Sequence, residues 1–134
     1  MSEESAIYYE DMEIGTVETS PARTMTETDI VNFAGLSGDF NILHTNEEFA
    51  KETPFGGRIA HGLLGLSIAS GLAARNPGGE YHKIVAFLGL TWDFKRPVMI
   101  GDTVHVVQTL KDKHETRQPG MGILIYEAKL VNQR

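Results

Sequence analysis

Apolar residues are spread along this chain in three different ways, and each predicts a different kind of element. Between positions 26 and 38 they are sparse: Ile30, Val31 and Phe33 form a single apolar face. Ahead of them stands Thr26 with Asp29 three residues on, the spacing at which a hydroxyl and a carboxylate cap each other's backbone N–H. A helix opening at Thr26 is predicted, with Gly35 and Gly38 to end it. A second short helix is expected from Thr45 as N-cap with Glu48 at its third position, running through Phe49 and Ala50 until Pro54 stops it. Residues 37–44 are then a loop between helices, a common place for polar side chains that carry chemistry.

From 62 to 75, GLLGLSIASGLAAR, the residues are apolar or small on nearly every side, which predicts a helix buried all round. At 1.5 Å per residue it is about 21 Å long, too short for a bilayer but suited to the axis of a small domain. The Asn-Pro-Gly-Gly at 76–79 terminates it. Alternating or β-branched runs then follow at 83–93, 103–110 and 122–131, separated by turn signals at Pro97, Gly101-Asp102 and Pro119-Gly120. Residues 16–24 alternate weakly enough for one more short strand. An apolar helix followed by hairpins implies an α+β fold, an antiparallel sheet curled around the helix.

Length and charge narrow the picture. With 134 residues and no repeat or linker, residues 1–134 form one domain. The absence of cysteine rules out a disulfide framework. The acidic start lacks the basic-then-apolar order of a signal peptide, and no apolar run reaches a membrane span, so the expectation is a cytoplasmic protein. A net charge of -6 argues against general nucleic-acid affinity. That charge is uneven, net -10 over residues 1–52 and +4 over 53–134, so an anionic ligand should favour the second half.

The stretch with the most chemistry is FAGLSGDFNILH at 33–44, followed by AHGLL at 60–64. It resembles the signature of the MaoC-like (R)-specific enoyl-CoA hydratases, Gly-Asp-x-Asn-Pro-aliphatic-His with a later His-Gly at the start of the central helix. Phe94-x-x-Pro97-Val98 and the Gly101-Asp102 turn fit as well, so the resemblance covers nearly the whole chain. It implies a hot-dog fold and the addition of water to a trans-2-enoyl thioester to give the (R)-3-hydroxyacyl product, or the reverse dehydration. Such a reaction requires a base for the water, a proton for carbon 2, and a group to hold the enolate charge on the thioester oxygen. The resemblance assigns the base to Asp39 and the orientation of the water to His44. It gives the oxygen site to Gly62 at the helix start, where unpaired N–H groups point outward. Asn41 is expected to fix the loop or orient the dyad, and Ser70 to support the acyl site.

Coenzyme A or acyl carrier protein carries the substrate in this reading, with no separate cofactor. Arg58, Lys83, Lys95 and Arg96 are the basic groups nearest the helix start and the Pro97 turn, hence the candidates for the carrier's phosphates. A homodimer or larger assembly is implied, since hot-dog proteins pair through their sheets.

Taken singly the residues have plainer readings. Asp39 after Gly38 is a plausible turn residue, His44 a capping histidine, and His61 a structural one, packing or hydrogen-bonding beside the helix start. The five histidines show no metal-ligand spacing, so no metal is expected. Gly35-Leu-Ser-Gly-Asp39 has only a superficial likeness to a nucleophile elbow, lacking its final glycine. Two departures from the family pattern stand out. Ile42 replaces the usual proline, so the loop must be held by packing instead of a fixed φ. Residues 131–134 look like the approach to a hairpin turn after which relatives have another strand, so the expectation is an edge strand that is absent, supplied by a neighbour, or trimmed from this sequence. A hot-dog thioesterase is the rival enzyme, weakened because 62–75 holds no carboxylate. A non-catalytic acyl-thioester-binding subunit is the rival from outside enzymology.

Overall fold

The computed structural model describes residues 6–76 and 84–134. Four strands form one antiparallel sheet: β1 (Val17–Thr19), β2 (Arg23–Thr24), β3 (Thr103–Glu115) and β4 (Gly122–Val131). Helices α1 (Glu27–Ser37), α2 (Ile42–Thr45), α3 (Glu47–Lys51) and α4 (Gly62–Ala73) lie between β2 and β3 in the chain. β3 is the spine. One of its edges takes β1, with Val17 opposite Thr109, and β2, with Arg23 opposite Val104; the other takes β4 from His105/Val131 to Glu115/Gly122. The β3–β4 ladder runs five residues beyond the predicted 110, through a register shift between Leu110 and Asp112 that lets a long hairpin keep its pairing.

The strand expected at 16–24 is broken in two, because Pro21 lacks the N–H that a ladder needs. Ser20 repairs the gap: its N–H donates to the Val106 carbonyl (2.9 Å) and its hydroxyl accepts from the Val106 N–H (2.8 Å). The α1 cap is as the sequence predicts, with Thr26 N–H donating to Asp29 Oδ2 (2.8 Å) and Asp29 N–H to the Thr26 hydroxyl (3.2 Å). Gly35 does not end this helix. Gly38 does, by turning left-handed at φ 77°, a conformation glycine reaches without strain.

Two expectations about the helices need correcting. The N-cap of α3 is Asn46, whose side chain accepts from the Phe49 N–H (3.0 Å), while Thr45 ends α2 and donates its hydroxyl to the Phe40 and Asn41 carbonyls. The loop expected at 37–44 therefore shrinks to residues 38–41, and α2 follows it.

The core joins α4 to the sheet through Leu64, Ile68, Ala69 and Leu72 on the helix and Val104 and Val106 on β3, closed by Met25, Ile30 and Ala60. Burying a side chain of the Leu or Ile size stabilises the fold by about 1.5–3 kcal/mol. These positions cover one side of α4 only. Leu63, Ser67, Ser70 and Gly71 on the other side are exposed, so the helix is not buried all round. Small side chains permit close packing there without requiring it.

The run expected to be a strand at 83–93 also differs. Lys83 lies outside the described residues, and 84–93 hold no ladder. Both edges of β3 are occupied, and no described strand lies beyond β4. The run is left with Phe87 77% and Leu88 75% exposed.

Candidate active site

A cavity of about 290 Å³ opens where the 38–41 loop meets the first turn of α4, lined by Phe33, Ser37, Asp39, His44, His61, Gly62, Leu63 and Phe94. Asp39 and His44 thus face one space beside Gly62. Local hydrogen bonds build the loop. The Ser37 hydroxyl donates to the Phe33 carbonyl (2.7 Å) and accepts from the Asp39 N–H (3.1 Å). Asp39 Oδ1 accepts from the Asn41 N–H (3.1 Å), and Asn41 Oδ1 caps α2 by accepting from the Leu43 N–H (3.0 Å). Asn41 is therefore a loop-fixing residue and does not line the cavity. Its cap and the Thr45 hydroxyl do what proline does elsewhere. The packing expected at Ile42 is not the device, since that side chain is 49% exposed.

His44 is oriented from behind. Its Nδ1 lies 2.8 Å from the Ile59 carbonyl, and because a carbonyl only accepts, that nitrogen carries the proton and leaves Nε2 with a free lone pair. The His61 ring stacks on it, centroids 3.8 Å apart and planes 28° apart, while Phe33 packs on the other histidine at 4.9 Å. His61 is buried, 3% exposed, with Nε2 2.9 Å from the Asp39 carbonyl. Its Nδ1 is buried without a partner, which costs about 1–3 kcal/mol.

One ligating atom each from Asp39, His44 and His61 lies within 4.8 Å of the others, a proximity that linear spacing could not reveal. The donor set still suits a cation poorly. The two rings are stacked 28° from parallel, so their in-plane lone pairs run side by side instead of converging on one point.

Gly62 opens α4, so its N–H has no partner within the helix and points outward. A Cβ at this position would stand 2.8 Å from the Phe94 ring, so glycine is what lets that aromatic sit over the helix start. Phe94 is held near by the bridge between Ile59 and Met99 and by the Ala60 N–H donating to the Val98 carbonyl (2.8 Å).

The remaining predicted residues are scattered. Ser70 is on the exposed side of α4, its hydroxyl donating to the Ser67 carbonyl (2.8 Å), and does not line the cavity. Arg58 is committed elsewhere: Nε donates to Glu47 (2.6 Å) and the guanidinium pairs with Glu27 (2.7 Å). The hydrogen bonds from Arg58 to Glu47 and Glu27 hold its guanidinium above the ordinary value, and the same bond holds the Glu47 carboxyl below its own. A cation already matched by two carboxylates has little left for a phosphate. Lys95 and Arg96 are exposed beside Phe94, Lys95 at 3.7 Å from Asp93. Phe33, Ser37, Leu63 and Phe94 are lining residues that sequence reasoning did not assign to the site, although Phe33 and Ser37 lie within the 33–44 motif, Leu63 within AHGLL and Phe94 before Pro97.

Comparison with known proteins points the same way. A family profile described as "MaoC like domain" matches residues 12–131. A 3-hydroxybutyryl-CoA dehydratase of Methylorubrum extorquens is 41% identical over 101 residues, 75% of this chain and 61% of that protein. An (R)-specific enoyl-CoA hydratase of Rhodospirillum rubrum is 42% identical over 104 residues, 77% of this chain and 69% of that one. The chain thus spans 61% and 69% of the length of these two curated relatives. Among solved structures, a monoamine oxidase regulatory protein from an Archaeoglobus species superposes with a TM-score of 0.87 at 39% identity, covering 96% of this chain and 85% of that one. The (R)-hydratase from A. caviae gives 0.74 at 30% identity, covering 91% and 86%.

Proposed function

The chain belongs to the MaoC-like domain family, and from that premise we propose that it is a hot-dog hydratase acting on trans-2-enoyl thioesters, reversibly, to give the (R)-3-hydroxyacyl thioester. The observation that carries this reading is the meeting of Asp39 and His44 in one cavity at the start of α4. Both present acceptors there: a carboxylate, and an imidazole whose other nitrogen is fixed as the donor by the Ile59 carbonyl. Two acceptors each about 2.8 Å from a water oxygen stand roughly 4.5 Å apart, and an Asp39 oxygen and a His44 nitrogen lie within 4.8 Å of each other.

A water donating both hydrogens turns its oxygen lone pairs toward the substrate. As that oxygen bonds to carbon 3, one hydrogen passes to the dyad and the electron pair of the double bond moves through carbon 2 toward the thioester oxygen. The Gly62 N–H, aided by the positive end of α4, meets the developing charge. The proton held by the dyad then returns to carbon 2 from the same face, so the water's atoms are all accounted for.

Coenzyme A or acyl carrier protein is the carrier in this proposal, and Lys95 and Arg96, exposed next to Phe94, are the cations available to its phosphates. A second copy of the chain covers the exposed apolar run at residues 84–90, where Phe87 and Leu88 are otherwise in water. No helix among the described residues is long and apolar enough to cross a membrane.

Crotonyl-CoA and a chain-length series of enoyl-CoAs test the reading, followed by ultraviolet loss of the conjugated double bond. Hydration at an enzymatic rate is expected. Release of free thiol from saturated acyl-CoA without hydration would favour a thioesterase, and tight binding without turnover a non-catalytic subunit.

A further inference from the structure

Asp39 sits in the loop before α2, His44 within α2, and Gly62 on a different helix 18 residues further on. Nothing covalent holds these three in register. His61 touches all of them. Its Nε2 lies 2.9 Å from the Asp39 main-chain carbonyl, its ring backs the His44 ring at 3.8 Å, and its own peptide unit leads into Gly62. The carbonyl can only accept, so Nε2 carries the proton and Nδ1, buried without a partner, does not. A residue needed only to fill this space would carry no unpartnered nitrogen; leucine or phenylalanine would fill it more favourably. The bond to Asp39 is what the histidine supplies beyond volume.

We propose that His61 is a positioning residue for the proposed hydratase site, its Nε2–H fixing the Asp39 backbone while its ring seats His44, so that base, imidazole and Gly62 N–H move as one body. This rests on the hydratase reading above. It does not place His61 on the substrate: one nitrogen is spent on the Asp39 carbonyl and the other is buried.

Two substitutions separate the bond from the stacking. Glutamine places an amide N–H close to where Nε2 stands, so His61→Gln keeps the donor and loses the ring; His61→Phe keeps the ring and loses the donor. Misplacing a reacting group by about 1 Å costs up to about 100-fold, so His61→Phe should lower kcat on crotonyl-CoA by about 10-fold to 100-fold with KM within about threefold. His61→Gln, which keeps the bond and loses only the ring that seats His44, should lower kcat less than His61→Phe, by about threefold to tenfold. Thermal unfolding of each variant confirms that the fold is retained. Equal kcat for the phenylalanine variant and the parent, or equal loss in both variants, would overturn the proposal.

Nitrogen-15 spectra of the histidine rings read the same inference without substrate. Nε2 of His61 should be protonated and Nδ1 not; the opposite tautomer overturns the bond. Should the parent protein hydrate no enoyl-CoA while this tautomer is found, the hydratase reading fails and the His61 contact to Asp39 stands.

Discussion

One stretch lines the cavity and another leads into the lining residue Phe94, and the two hold themselves in opposite ways. Residues 37–47 are tied to one another by short-range polar bonds: Ser37 to Asp39, Asp39 to Asn41, Asn41 to Leu43, and Thr45 to Phe40. Residues 84–93 make no ladder, and the large apolar side chains of 84–90 lie exposed while Trp92 packs against the core. The first stretch is built largely from its own short-range bonds, with the Asp39 carbonyl and the His44 ring tied outward to His61 and Ile59. The second has apolar surface that only another surface can cover. Chemistry therefore stands on the locally bonded side, and assembly is expected on the other.

The sharpest way to break this contrast is at the dyad. Asp39→Asn and His44→Ala should each reduce kcat for enoyl-CoA hydration by at least about 100-fold, the usual cost of a positioned acid–base group. Circular dichroism and melting temperature should change little. Near-parent turnover in either variant would take the polar stretch out of the mechanism.

On the apolar side, Phe87→Asp places a charge where the proposed second copy would cover it. The dimer dissociation constant, measured by sedimentation equilibrium, should rise about 100-fold, equivalent to about 2.7 kcal/mol. An unchanged association state would show that this stretch is not the contact.

Gly62 joins the two sides through Phe94. Gly62→Ala keeps the N–H but requires the Phe94 ring to move, so kcat should fall about tenfold as the cavity is reshaped. Adding Phe94→Leu should recover part of the loss. No recovery would mean that the alanine acts on the helix start itself.

A smaller effect is expected at the rim. Exposed charges contribute about 0.2–1 kcal/mol each, so Lys95→Ala/Arg96→Ala should raise KM for an acyl-CoA about threefold to tenfold at low salt and flatten its salt dependence. Unchanged KM and salt slope would mean that the excess positive charge of residues 53–134 is only surface solvation.

The mildest test is of the loop's short-range bonds. Asn41→Ala removes the α2 cap and should cost about 1 kcal/mol, lowering Tm by about 3–5 °C. Turnover should drop less than in the dyad variants, because Asp39 keeps its bonds to Ser37 and His61. A loss as large as that at Asp39 would make Asn41 a direct participant.

Features governed by neighbours in the chain were legible from the sequence. The Thr26/Asp29 cap, the left-handed Gly38, the turns at Gly101 and Gly120 and the bounds of β4 each depend on groups a few residues apart. The Asp39 and His44 pair was legible too, since the motif spacing encodes a short self-bonded loop. Other features depended on what lies across space. Asn46 displaced Thr45 as a cap because the turn at 42–45 closed into a helix. Arg58, expected at the phosphates, is paired with Glu27 and Glu47, which only folding brings to it. Local hydrophobic pattern reports that residues 84–93 and 62–75 seek burial, but a strand exists only where an edge receives it and a helix face is buried only where something covers it. His61 is the clearest case. Its sequence position marks it as a neighbour of the helix start, whereas its contacts with Asp39 and His44 exist only because the chain returns, 22 and 17 residues later, to the same point in space.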